Sequence, residues 1–338
     1  MQSVEGYRHV SRQRILNGLA FNEMSMRFDE VATAYTKTFE WILDDNFHSR
    51  SGISFKHWLS SGSGIFHIAG KPGSGKSTLM KFLCSNIRTQ ETLNGWASGK
   101  TLIFAKFFFW KPGRTVQKSQ NGLLRSILHQ CLSSCPDIVP LVFPSIWKEV
   151  ESLAGPASAA VRFTNDDIHA AFEKLIHNGD LLSRHRFCFF IDGLDEYEES
   201  EKDFIDLVTL LHQWTEAAPQ DLKICVSSRE LNAFEIGFSP ERRYRLQDLT
   251  WSDMAKVISG RLYFQHYSAA HSDARMDRLA IQILSKAQGV FLWVTLVLRT
   301  MRLCVLVHEE ELERTVTKSR GGWERRLFAC VSSSNSGL

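Results

Sequence analysis

The feature that most constrains this chain is a short apolar run, IFHIA at 65–69, that breaks into Gly70-Lys71-Pro72-Gly73-Ser74-Gly75-Lys76-Ser77-Thr78 and then into the helical pattern TLMKFLCSNI. Five apolar residues bounded by glycines predict a buried strand. The glycines let the backbone curl tightly, so that successive N–H groups point inward. A helix opening near Gly75 adds the positive end of its dipole to the same place. A strand, turn and helix of this kind hold an anion. The loop matches G-x-x-x-x-G-K-[ST], in which the lysine reaches the β- and γ-phosphates of a nucleotide and the hydroxyl ligates Mg²⁺. A chance match in a chain this long has a probability on the order of 1%. Residues Gly70 to Thr78 are therefore the candidate nucleotide-binding set, with Lys76 on the phosphates and Ser77 on the metal.

The pattern downstream alternates. Strands are predicted at 101–110 (TLIFAKFFFW), 187–191 (FCFFI) and 222–227 (LKICVS), separated by helical patterns at 75–88, 121–135, 166–178 and 202–217. Nearly continuous apolar strands between helices indicate an α/β fold, a parallel sheet covered by helices on both faces. Beyond residue 250 only helical periodicity remains, at 251–268, 275–287 and 290–304. The expected organisation is a helical leader at 1–60, a P-loop NTPase core at 61–249, a helical appendage at 250–310 and a disordered tail at 311–338. Within the leader, Val31, Ala34, Tyr35, Phe39, Trp41 and Ile42 recur near a helical period. Ser60 to Gly64 is expected to form a flexible joint. No repeat of 20–50 residues is present, which excludes a solenoid within this chain.

A phosphate loop needs a second carboxylate to hold the metal. FCFFI ends in Asp192-Gly193-Leu194-Asp195-Glu196, which places an acid at the C-terminal edge of a buried strand, where open α/β sheets bind ligands. Asp192 is the expected Mg²⁺ partner. Asp195 and Glu196 follow at a distance suited to polarising an attacking water, and Glu196 is favoured as the general base. The further acids Glu198 to Asp203 read as the start of a helix, where negative charge is favourable. The LKICVS strand ends in Ser227-Ser228-Arg229, and a strand-end arginine is placed to sense a terminal phosphate.

Composition narrows the setting. Apolar residues make up 43% and charged residues 23%, which excludes wholesale disorder. The seven cysteines contain no C-x-x-C, which points to a reduced, cytoplasmic compartment rather than a disulfide scaffold. The opening residues carry charges where a signal peptide needs an apolar run. The one long apolar stretch, 289–307, contains Arg299 and Arg302, each costing roughly 2.5–3.5 kcal/mol near a membrane centre. It is expected to be a protein-buried helix with its arginines turned outward. Cys131 and Cys135 stand one turn apart, but His129 completes no zinc spacing, so both read as helix thiols. The basic residues Arg314, Lys318, Arg320, Arg325 and Arg326 read as a solvated tail.

Together, GKPGSGKST at 70–78, FFIDGLDE at 189–196, KICVSSRE at 223–230 and GVFLWVTLVLRTM at 289–301 resemble the NACHT family of signal-transducing P-loop ATPases, within the STAND or NOD-like receptor class. FFFW at 107–110, GVFLWV and the leader segment 21–43 resemble its fungal branch. The resemblance implies an ATP- or GTP-driven switch whose closed, diphosphate-bound state opens on exchange and forms a homo-oligomer. It implies the same roles for Lys76, Ser77, Asp192, the pair Asp195 and Glu196, and Arg229. It also implies effector and sensor partners, which nothing in the sequence identifies. The chain departs from the family in having Gly289-Val290-Phe291 where the wider class has Gly-x-Pro, and no recognisable winged helix after 305. His308, in the acidic run HEEELE, reads as a surface residue rather than the nucleotide-contacting histidine. Residues 1–60 leave no room for a separate effector enzyme, so the chain reads as a truncated or remodelled member.

Two functions compete. One is a slow NTPase switch with Mg²⁺ and ATP or GTP. The other is a scaffold that holds nucleotide without hydrolysing it. A net charge of +3 and the lack of a basic aromatic stripe argue against nucleic acid as a partner, and no membrane span is expected.

Overall fold

Alternation along the apolar runs decides which residues meet. The computed structural model describes residues 4–47, 49, 52–152, 161–197, 201–263 and 273–307. Strands form at Gly64–Ala69 (β1), Thr101–Phe108 (β2), His185–Asp192 (β3) and Leu222–Ser228 (β4), with a short fifth at Arg243–Arg245 (β5). All are parallel, in the order β2-β3-β4-β1-β5. Side chains on β3 alternate: Phe187, Phe189 and Ile191 face one way, Cys188 and Phe190 the other, and all five are fully buried. The first face packs on helices Gln120–Ser134, Asn165–His177 and Glu201–Ala217, where Phe172 and Trp214 meet at 4.2 Å. The second face lies under helices Lys76–Ser85 and Ile87–Ala97, with Phe104 and Phe190 at 5.2 Å and Met80 against Cys225. This is the α/β P-loop NTPase fold, a parallel sheet covered on both faces.

The chain divides into two compact units. One holds the residues up to Lys71 together with Lys76–Leu246; the other begins at Gln247 and takes in the loop tip Pro72–Gly75. Helices Trp251–Tyr263, Asp273–Ala287 and Phe291–Val307 of the second unit pack on one another. They bury Met254, Ile258, Ile283, Val294 and Leu298, while Arg299 is exposed. Among the described residues no helix is long and apolar enough to cross a membrane.

Three local expectations change. The periodic residues 31–42 do not form a helix: after Val4–Leu19 and a short Met26–Glu30, the chain is irregular until the 3₁₀ turn Glu40–Leu43. Val31 and Phe39 are buried from this irregular path and Ile42 and Leu43 from the 3₁₀ turn, so burial rather than helical pitch selected their spacing. The Ser60–Gly64 segment is not a flexible joint. Helix Phe55–Ser61 runs into it, and Ser63 O accepts bonds from Trp58 Nε1 at 3.1 Å and Arg242 Nη1 at 2.7 Å. Finally, the helix expected at 75–88 breaks at Asn86, whose side chain caps the next helix by accepting from Arg88 N at 2.9 Å. Glu198, Glu199, His308, the basic residues Arg314 to Arg326 and the whole tail at 311–338 lie outside the described residues.

Cations close the ends of the early elements. The buried Lys223 donates to Trp58 O and Leu59 O, at 3.1 and 2.7 Å, finishing helix Phe55–Ser61. Arg125 does the same for Val4–Leu19, donating to Gly18 O, Leu19 O and Ala20 O at 3.0–3.1 Å. Arg125→Ala therefore leaves three carbonyls without a charged donor, a local loss of roughly 1 kcal/mol or more. Hydrogen exchange should speed up over 8–20 while the strand amides stay protected. Unchanged exchange over 8–20 would show that Arg125 does not hold this helix.

Candidate functional site

The carboxyl ends of β1, β3 and β4 bring the motifs to one edge. Register pairs Ala69 with Ser228 and Phe108 with Asp192, so Gly70, Asp192 and Arg229 emerge together. Gly70 N donates to Ser228 O at 3.2 Å, joining the loop's first residue to β4. Gly75 has φ +95°, a conformation that costs a side-chain-bearing residue steric strain, and the helix starts directly after it at Lys76. The Lys76 ammonium is held by Gly70 O at 2.8 Å and Lys71 O at 3.1 Å. Burial lowers its pKa, while Asp195 and Asp192 act in the opposite direction. Thr78 sits half-buried in the first turn of that helix.

Asp192 is 1% exposed. The Ser227 hydroxyl donates to its Oδ1 at 2.5 Å and accepts from Gly193 N at 3.0 Å. The Ser77 side chain lies close to the same carboxylate. Burial raises its pKa to about 6, against the lowering effect of the Ser227 and Ser77 hydroxyls. A hydroxyl and a carboxylate side by side form an oxygen donor set suited to Mg²⁺. The buried Ser74 hydroxyl in the loop has no hydrogen-bond partner among the described residues. The residues present fit a phosphate and its metal.

Gly193 has φ +75° and turns the chain sharply out of β3 into the 3₁₀ turn Leu194–Glu196. That turn separates the two acids. Asp195 is clasped by a single residue: Oδ1 accepts from Arg229 N and Oδ2 forms an ion pair with Arg229 Nε, both at 2.9 Å. Glu196 Oε2 instead accepts from Lys111 N at 3.0 Å. The structure thus brings together Lys76, Ser77, Asp192, Asp195 and Arg229, and directs Glu196 toward the loop after β2.

Sequence reasoning assigned no role to Ser227 or His67. Ser227 orients Asp192, and only the β3–β4 register reveals it. His67 on β1 is fully buried, its Nε2 lies 2.8 Å from Ser228 Oγ, and that hydroxyl donates to Arg229 O at 2.9 Å. Because Ser228 uses its proton on Arg229 O, the neutral ring donates through Nε2, and Nδ1 is left buried without a partner. Burial, helped by Arg243 and Lys76, lowers the His67 pKa to about 3.

A family described as "Nephrocystin 3, N-terminal" matches residues 37–229. Among curated proteins no relative matches. Similar solved structures include the following two. One is Drosophila ORC bound to DNA, at 12% identity and a TM-score of 0.45, with 84% of this chain and 68% of that chain covered. The other is Cdc6p from Pyrobaculum aerophilum, at 9% identity and a TM-score of 0.31, covering 60% of this chain and 45% of that one. The first corrects the exclusion of nucleic acid drawn from net charge, because that protein is bound to DNA. Net charge sums the whole chain and says nothing of local patches, so the exclusion is dropped.

A histidine held neutral in the fold, with an unfolded pKa of 6.5, binds fewer protons folded than unfolded between pH 6.5 and 3. Its contribution is present above that window and is lost as pH falls through it. Denaturant midpoints should therefore fall more steeply from pH 6.5 to 4 in the parent protein than in His67→Gln. Parallel pH profiles would rule out a buried neutral His67.

Proposed function

This chain belongs to the nephrocystin 3 N-terminal family, and from that footing we propose that it binds a nucleoside triphosphate, ATP or GTP, with Mg²⁺ and hydrolyses it slowly as a NACHT-type signalling switch. One observation carries the reading: the loop hydroxyl of Ser77 and the buried Asp192 carboxylate lie together at the sheet edge that also holds Lys76. Residues 70–78 would hold the phosphates, and Ser77 and Asp192 would hold Mg²⁺. The metal's chemistry is to neutralise charge on the phosphate oxygens. Ser227 keeps the Asp192 carboxylate oriented, and Lys76 supplies a positive charge whose burial strengthens its pull on phosphate.

Glu196 takes the general-base role, because both oxygens of Asp195 are occupied by Arg229. Asp195 is then a positioning residue for Arg229, whose guanidinium senses the terminal phosphate. Loss of that phosphate would release Arg229 and shift the switch, with assembly into homo-oligomers as the readout.

A nucleotide-holding scaffold without hydrolysis is favoured by one feature: Glu196 is tied to the Lys111 amide and Asp195 to Arg229, so each acid already has a protein donor. The two readings separate experimentally. Native mass spectrometry of the purified chain should show retained nucleotide, and Lys76→Ala should weaken its binding roughly 10- to 100-fold. Glu196→Gln should preserve binding while phosphate release drops to background. Release already at background in the parent, and unmoved by Glu196→Gln, would establish the scaffold instead.

A further inference from the structure

Arg27 stands in the leader, ten residues before the family match begins at residue 37. Its segment is fixed on every side. Upstream, Arg125 clamps the end of helix Val4–Leu19, and Glu23 pairs with Arg114 at 3.1 Å. Downstream, Lys81, on the helix that follows the phosphate loop, donates to Asp29 O at 2.9 Å and Val31 O at 2.7 Å. Between these ties Phe28 meets Phe108 edge-on at 5.2 Å, and the Lys106 ammonium sits 3.3 Å from the Phe28 ring centre. Phe108 is the β2 residue paired with Asp192 across the β2–β3 ladder. The short helix Met26–Glu30 is thereby held at the carboxyl edge of β2, beside the metal carboxylate and opposite β1 across β3 and β4.

Such fixing keeps the Arg27 side chain on the Asp192 side of the sheet edge. The side chain is half-buried, its Nε is fully covered, and that atom has no hydrogen-bond partner among the described residues. No ion pair joins Arg27 to an acid among those residues, yet its charge is close enough to Asp192 to stabilise that carboxylate. A partly desolvated guanidinium without a paired anion is costly unless a ligand supplies one. Its planar donor fork matches phosphate oxygens.

We propose that Arg27 is a contact for the terminal phosphate, supplied in cis by the leader, so that the segment preceding the family-matched residues completes the nucleotide site. The proposal rests on the nucleotide-binding reading above and adds a residue that no motif contains. In this assignment the loop holds the inner phosphates and Arg27 meets the outer one. Arg27 therefore distinguishes triphosphate from diphosphate.

The test is equilibrium binding of fluorescent ADP and of a fluorescent non-hydrolysable ATP analogue, with Mg²⁺, to the full chain and to Arg27→Ala, Arg27→Lys and Arg27→Gln. Loss of one charge-assisted contact should weaken the triphosphate analogue about tenfold or more in Arg27→Ala. The diphosphate should stay within about twofold, and Arg27→Lys should recover part of the difference. Equal weakening of both nucleotides, or of neither, would overturn the assignment. Should circular dichroism show Arg27→Ala unfolded, the Gln and Lys variants carry the same comparison. A parent chain that binds neither nucleotide removes the underlying reading, and this proposal with it. That failure is visible without any variant.

Discussion

Burying a carboxylate costs several kcal/mol unless hydrogen bonds replace its lost water. Asp192, at the end of the apolar run of β3, meets that condition through Ser227 on β4, with the Ser77 hydroxyl of the loop helix close by. The Ser227 bond crosses between elements, so the carboxylate ties β3 to β4. Ser227 also receives Gly193 N, which sets the direction of the turn carrying Asp195 and Glu196. The distance between the loop and the acids therefore depends on one desolvated group being satisfied.

Around that centre, positive charges do structural work at helix and loop ends. Lys223, Arg125 and Lys81 each donate to backbone carbonyls that would otherwise lack partners. Lys76 does the same at the loop's entrance, binding Gly70 O and Lys71 O. A lysine held in this way ties the start of the loop helix back to the first residues of the loop. Arg27 differs in having no such acceptor among the described residues, which is why a ligand contact is proposed for it.

Much of the site could be read from residue order alone. The phosphate loop, the acid after FCFFI and the arginine after KICVSS each end an apolar run, and in a parallel sheet all such ends lie on one edge. The leader was less legible. Val31, Phe39 and Ile42 have helical spacing, but Val31 and Phe39 are buried from irregular chain and Ile42 from a 3₁₀ turn. Ser60 to Gly64 has the composition of a joint, yet bonds from Trp58 and Arg242 fix it. Composition reports what a segment can do without neighbours, and here neighbours decide.

By itself, then, the sequence determined the strand-loop-helix, the parallel sheet, and which residues, Lys76, Ser77 and Asp192, are proposed for phosphate and metal. Those depend on local backbone geometry and on apolar runs, both of which are properties of neighbouring residues. Only the tertiary structure decided that Ser227 orients Asp192, that Asp195 and Glu196 take different partners, and that Arg27 stands beside the site. These depend on strand register and on contacts between residues far apart in the chain. A one-residue shift of β4 would turn Ser227 to the opposite face of the sheet, and no local pattern specifies that shift.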